Sequence, residues 1–353
     1  MRLNLIRRKL GRTGVIILLT LFAEFTIFAA NNDVVVMKNG DRMTGEIKSL
    51  QRGQLSFKAD YMADSVVLDW TRLERLESKS TFLILLVNGK LFTSSLRLVP
   101  ANSSETANFV IGPAKTGERV AQLDVIGILP AGASFFKRLD GSVDLGFSFT
   151  SGNKQYETEL AATTTYRAGD HSFTASVSSS FTGQVGETKT TRNQFHFEYR
   201  KQLTQLVFAG GVVDFLKSDQ QSLNLRSSVG GLIGRHLHQT ERTRLSVYGG
   251  MAVNREHYSN LFGQLEKTNA DALAGIDFST FRFKTTDITS RLSLFPSVTT
   301  PGRVRLQTTS TLQIKIVKDL YWGFHVYENF DSKPPVRANK NDLGVSTSVG
   351  WKF

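Results

Sequence analysis

The sequence predicts an all-β protein, an antiparallel transmembrane β-barrel of about twelve strands preceded by a small β domain of two repeats. Three observations carry the barrel: strict two-residue alternation after Asp140, connections that alternate between short and long, and aromatics gathered at strand ends. In Ser142–Thr150, Val143, Leu145, Phe147 and Phe149 fall on one face, and Ser142, Asp144, Gly146, Ser148 and Thr150 on the other. Such alternation fits a soluble sandwich with an apolar core or a membrane barrel with an apolar outside. Twelve segments follow the pattern, near 141–150, 156–167, 171–182, 191–200, 205–215, 222–236, 243–254, 269–280, 286–295, 303–315, 320–329 and 342–353. That leaves about 18 residues per strand and turn, which suits strands with roughly 9–11 residues in the bilayer.

The links near 151–155, 183–190, 216–221, 255–268, 296–302 and 330–341 include all the long ones. Those near 168–170, 201–204, 237–242, 281–285 and 316–319 are short. Short turns on one side and longer loops on the other mark a barrel rather than a sandwich. Two aromatic girdles are expected. One holds Tyr166, Phe173, Tyr199, Phe208, Phe281, Phe283, Trp322, Trp351 and Phe353. The other holds Phe149, Tyr156, Phe181, Phe215, Phe295 and Tyr327. The chain ends on an alternating strand in which Val349, Trp351 and Phe353 share one face. Its form resembles the C-terminal signal read by the barrel-assembly machinery.

Residues 1–30 read as a signal peptide: Arg2, Arg7, Arg8, Lys9 and Arg12, then an apolar run to Ala30. Residues 31–135 read as two repeats. Val36–Ile47 aligns with Leu85–Leu96, placing Asn39-Gly40 against Asn88-Gly89, and Val67–Leu73 aligns with Arg119–Val125. Each Asn-Gly pair predicts a type I′ hairpin turn. The pattern resembles tandem Sm-like or SH3-like barrels, and it brings no catalytic residue.

Composition removes several function classes. There is no cysteine, so disulfides, thiolate metal sites and cysteine nucleophiles are absent. The net charge is +12, but residues 136–353 carry 26 basic and 19 acidic residues with no basic run. A nucleic-acid surface would concentrate them, so no nucleic-acid partner is expected. The histidines show no metal-ligand spacing and no phosphate-cradling glycine loop is present, so no metal and no cofactor is expected.

Asp140–Asn153, Asn224–Gly234 and the final Gly-Trp-Lys-Phe together resemble the domain of unknown function 481 family over roughly residues 136–353. Its members are described as salt-induced outer-membrane proteins. The resemblance implies an outer-membrane barrel and brings no established substrate.

With the apolar face on lipid, the other face lines the lumen. The candidates are Asp144, Glu157, Glu159, Arg167, His196, Glu198, Arg200, Arg226, Asp277, Arg291, Arg305, Lys315 and Lys352. Seven of these are Lys or Arg and five are carboxylates, which predicts either a filled, salt-bridged interior or, if the barrel is an open conduit, a weak anion bias. One constellation has catalytic residue types. A hairpin register set by the 183–190 loop would oppose Ser178 and His196, with Glu159 on the preceding strand, the makings of a lipid hydrolase. The leading expectation is instead a structural or small-solute conduit protein of the Gram-negative outer membrane without enzymatic activity, its N-terminal domain periplasmic. A membrane-anchored periplasmic scaffold is the third. Expected partners are outer-membrane lipid, the assembly machinery and, on the periplasmic side, envelope proteins or peptidoglycan.

Overall fold

The computed structural model describes residues 33–353 apart from 88–89, 100–107, 112–116, 133–138, 151–154, 169, 185–188, 205, 241, 261–262, 282–284 and 336–337. The leader read at residues 1–30 therefore lies outside the described residues, as does the second Asn-Gly turn.

Nine strands form the N-terminal sheet: β1 (Asp33–Met37), β2 (Arg42–Gln51), β3 (Gln54–Ala59), β4 (Val66–Asp69), β5 (Leu73–Leu86), β6 (Leu91–Val99), β7 (Asn108–Ile111), β8 (Glu118–Ala121) and β9 (Val125–Pro130). The two sequence repeats occupy equivalent strands. Each has a 3-10 turn, Trp70–Arg72 or Gln122–Asp124, directly before its closing strand. The long β5 belongs to both. Its first half closes the first repeat against β1, and its second half opens the second repeat against β9.

The repeats also exchange edges. The end of β2 pairs with the closing strand of the other repeat, Leu50 opposite Ile128. The end of β6 does the same in return, Leu98 opposite Leu76. One core results, in which Val35, Leu50, Phe57, Trp70, Leu76, Ile84, Leu98 and Ile128 are buried together. The Trp70 indole donates to the Gln122 carbonyl at 2.9 Å, and the Gln122 amide donates back to the Trp70 carbonyl at 2.6 Å. Asp33 is buried at the edge of this core. Its carboxylate accepts from the Ile47 amide at 2.8 Å and from the Ser78 hydroxyl. Burial outweighs both hydrogen bonds and pushes its pKa up.

The first Asn-Gly turn differs from expectation. Gly40 has φ +90° but Asn39 is not left-handed, so the turn is not type I′. The Met37 amide instead donates to the Asp41 carbonyl, and the Asn39 side chain accepts from the Asp41 amide. An asparagine side chain that bonds two residues onward needs no positive φ of its own. The two-residue turn with both residues left-handed lies between β2 and β3, at Arg52 (φ 54°) and Gly53 (φ 69°).

Twelve strands form a closed barrel: β10 (Leu139–Thr150), β11 (Gln155–Ala168), β12 (His171–Gln184), β13 (Thr190–Gln202), β14 (Val207–Ser218), β15 (Leu223–Gln239), β16 (Thr243–Asn260), β17 (Gly263–Thr280), β18 (Thr286–Pro296), β19 (Val304–Val317), β20 (Leu320–Asp331) and β21 (Asn341–Lys352). Every one of the twelve predicted segments is a strand. The 255–268 loop is the main departure, because β16 and β17 stay paired through it with only 261–262 between them. Charged residues in that stretch concealed the alternation.

Closure joins β10 to β21 from Ser142–Lys352 to Gly146–Ser348. Gly141 and Phe353 then exchange both backbone hydrogen bonds. The Phe353 ring lies over Gly141, where any Cβ would sit 2.6 Å from it. The barrel is inside-out. Leu145 and Phe147 are 65% and 66% exposed, while Glu256 and Asp271 are 0% exposed. This is the burial of a transmembrane barrel, because an exposed apolar band needs lipid to cover it.

Several aromatics fold inward over glycines of the next strand: Phe208 over Gly234, Tyr248 over Gly275, Tyr321 over Gly350 and Tyr327 over Gly344. This corrects the girdle assignment for Phe208 and Tyr327, and Phe295 also faces inward, beneath Arg305. Alternation fixes which face a residue takes, and these three have the parity of the lumen. Phe173, Phe215, Trp322, Trp351 and Phe353 do face outward. Phe283 and the Phe149 side chain lie outside the described residues. Gly275→Val would place a Cβ 2.3 Å from the Tyr248 ring. The expected cost is about 1–3 kcal/mol, read as a lower urea midpoint for the folded barrel.

Candidate functional site

Among the described residues, most buried charges lie in the lumen, and they are arranged in tiers. Both barrel termini are at one mouth, called proximal; the 261–262 and 332–340 links mark the distal mouth.

The distal tier is a closed ion-pair network. Arg303 donates to Glu256 at 2.9 Å and to Asp331 at 3.0 Å. Arg226 donates to the same Glu256 at 2.7 Å. Arg305 pairs with Asp271, which also accepts from the Asn254 amide at 2.6 Å. Arg192 lies 3.4 Å from Asp342 and stacks on Tyr327 with its guanidinium carbon 4.0 Å from the ring centre. All of these ionic side chains are buried.

The middle tier centres on Arg291. It donates to Asp277 at 2.8 Å, lies 2.7 Å from Glu198, and donates to His196 Nε2 at 2.7 Å. Arg200 bridges Glu198 and Asp277. An arginine can only donate, so His196 Nε2 accepts and its proton sits on Nδ1, 3.3 Å from Asp214.

The opposite wall is different in kind. Between Glu157 and Glu159 near one end and Arg167 near the other, the inward positions of β11 and β12 include Thr163, Thr165, Ser172, Thr174, Ser176, Ser178 and Ser180. Across the closure, Ser346 donates to Glu159, and Ser348 donates to Asp144 at 3.1 Å. A hydroxyl-lined wall thus faces a charged one. Thr163 on β11 and Thr309 on β19 are exposed although both hold inward positions.

At the proximal mouth the N-terminal sheet meets the barrel. Arg52, at the tip of the β2–β3 turn, donates to Asp287 at 3.2 Å and to Asp140 at 3.4 Å. Its guanidinium carbon is 4.6 Å from the Phe281 ring centre. Two further pairs fix the rim: Arg242 with Asp69 at 2.9 Å, and Lys318 with Asp64 at 2.6 Å. Burial opposes the Asp69 charge. The Thr71 hydroxyl and amide with the Arg242 guanidinium outweigh it and hold its pKa below the usual value.

The register separates the hydrolase residues. Ser178 opposes Gln194, and His196 opposes Ser176. Glu159 opposes Ser180 and is held by Ser346. With Nε2 capped by Arg291, His196 has no free lone pair for a serine hydroxyl. The other candidates lie on inward-facing positions, including Glu157, Arg167, Lys315 and Lys352, and no group of metal-ligating side chains occurs among the described residues.

Residues 143–353 match the family model described as a protein of unknown function, DUF481. The chain belongs to this family. No curated protein matches it. Among solved structures, it is similar to the NanC porin at 12% identity and TM-score 0.39, over 60% of this chain and 98% of that one. It is also similar to the translocator domain of the autotransporter NalP from Neisseria meningitidis, at 11% identity and TM-score 0.34, over 61% and 87%.

For this DUF481 barrel, sequence reasoning missed Arg192, Asp214, Glu256, Asp271, Arg303, Asp331 and Asp342. Glu256 and Arg303 fall in or beside links that were read as loops, where alternation was not followed far enough. With these residues included, the basic surplus over the whole lumen disappears. Removing one partner of a buried pair strands the other charge at a cost of roughly 3–5 kcal/mol. Arg303→Met should therefore lower the unfolding midpoint sharply. Adding Glu256→Gln should recover part of the loss, in a double-mutant cycle on the detergent-solubilised barrel.

Proposed function

We propose that this DUF481 chain is a structural or small-solute conduit protein of the outer membrane, without enzymatic activity, whose N-terminal sheet lies on the periplasmic side. The observation that carries this is the pair of exposed, inward-facing threonines, Thr163 and Thr309, between a hydroxyl wall and a compensated charged wall. Water reaches the lumen there, while the ion pairs narrow it. Mutually neutralised charges leave little field to select ions. The separation of Ser178 from His196 supports the absence of hydrolysis.

Purified protein in planar bilayers should give small, discrete conductance steps with weak ion selectivity at moderate salt. Silence in every orientation and voltage would overturn the conduit and leave a structural barrel.

The terminal strand carries a second proposal, that Val349, Trp351 and Phe353 form the assembly signal. Phe353→Asp should reduce heat-modifiable barrel in the outer-membrane fraction several-fold, because it removes the ring over Gly141 and puts charge on the lipid face, at roughly 2–4 kcal/mol at the midplane and less near the interface. An unchanged yield would remove the signal.

A further inference from the structure

The proximal mouth holds cations in excess of its carboxylates. Arg52, Arg167, Arg244 and Lys352 stand there against Asp140 and Asp287. Arg167 is 3.7 Å from Asp140, and Lys352 shares Asp287 with Arg52. Arg244 is different: no carboxylate among the described residues pairs with it, and it is exposed. It has the inward parity of the buried Ser246 and lies within electrostatic reach of Arg167, Arg200 and Arg52, and of the carboxylate Asp277. Lys352 is likewise within reach of Arg52. The distal tier shows that this chain neutralises its lumen arginines when it can. The carboxylate within electrostatic reach of Arg244, Asp277, is already paired with Arg200 and Arg291, so Arg244 faces an excess of positive charge that a bound anion would relieve.

We propose that the proximal mouth is a binding site for a small polyvalent oxyanion, completed by Arg52 of the N-terminal sheet and centred on Arg244. The site rests on the conduit reading and gives it a solute class, anions bearing phosphate or several carboxylates. Arg52 reaches it only because two other ion pairs, Asp69–Arg242 and Asp64–Lys318, seat the sheet on the rim. Its left-handed backbone, which costs a non-glycine residue roughly 1–2 kcal/mol, points the guanidinium off the end of the hairpin.

The test is calorimetric titration of the full chain in detergent at low salt with sodium pyrophosphate, and in a second arm with citrate. Saturable binding of either is expected, the stronger arm showing whether phosphate or carboxylate is preferred. Arg244→Gln should weaken it roughly tenfold while leaving the rim contacts in place, and Arg52→Gln should weaken it similarly. Arg255→Gln, on the distal hairpin, should have no effect. No saturable binding of either anion, or affinity unchanged by Arg244→Gln, overturns the site. Binding without conductance would refute the conduit and keep the site; conductance without binding would do the reverse.

Discussion

A bilayer core offers no hydrogen-bond partner to a backbone amide, so every N–H and C=O within it must find one inside the protein. That requirement forces β10 to β21 into a ring, with the last strand bonded to the first. It also decides where everything else goes. Apolar side chains take the outward positions, so polar ones have only the lumen. Most charges confined there are paired, and the distal and middle tiers are the outcome: Glu256 and Asp331 share Arg226 and Arg303, Glu198 and Asp277 share Arg200 and Arg291, and Arg305–Asp271 and Arg192–Asp342 are separate pairs. The inward aromatics follow too. A ring laid over a neighbouring glycine fills lumen volume with no polar atom to satisfy, apart from a hydroxyl such as Tyr248, which reaches Ser293 at 2.8 Å.

The barrel was legible in the sequence because period-two alternation is a local signal, and one face of each strand had to be apolar. All twelve strands followed from it, as did the parity that puts Asp144, Glu198 and Arg291 inside. What alternation does not give is register across a loop. Ser178 and His196 have the right parity but miss each other by one inward position, and that shift separates a catalytic pair from two unrelated lumen residues. Parity also had to override type. Phe208, Phe295 and Tyr327 were read as membrane anchors because they are aromatic, yet their positions in the strand place them inside.

The N-terminal sheet was partly legible. The repeats were visible through their alignments, but the exchange of edges was not, since Leu50–Ile128 and Leu76–Leu98 are contacts between repeats that no local pattern encodes. The turn at Arg52-Gly53 was missed for a related reason. Asn-Gly advertises a left-handed turn, whereas arginine disfavours one. Arg52 and Lys318 both hold left-handed backbone and both make ion pairs between the sheet and the barrel. Backbone strain and interdomain charge thus coincide at two separate turns.

The edge exchange has a consequence for biogenesis. The end of β2 takes its last pairing from β9, and the free edge of β10 from β21, so each half of the molecule waits for its own last strand before it is fully sealed. A chain threaded from its N-terminus across a membrane would spend that interval with open sheet edges, the state most prone to pair with neighbours. The order of synthesis places the N-terminal sheet first. Its nine strands can close while the barrel strands are still arriving, so the docking surface stands ready at the rim before there is a rim to dock on.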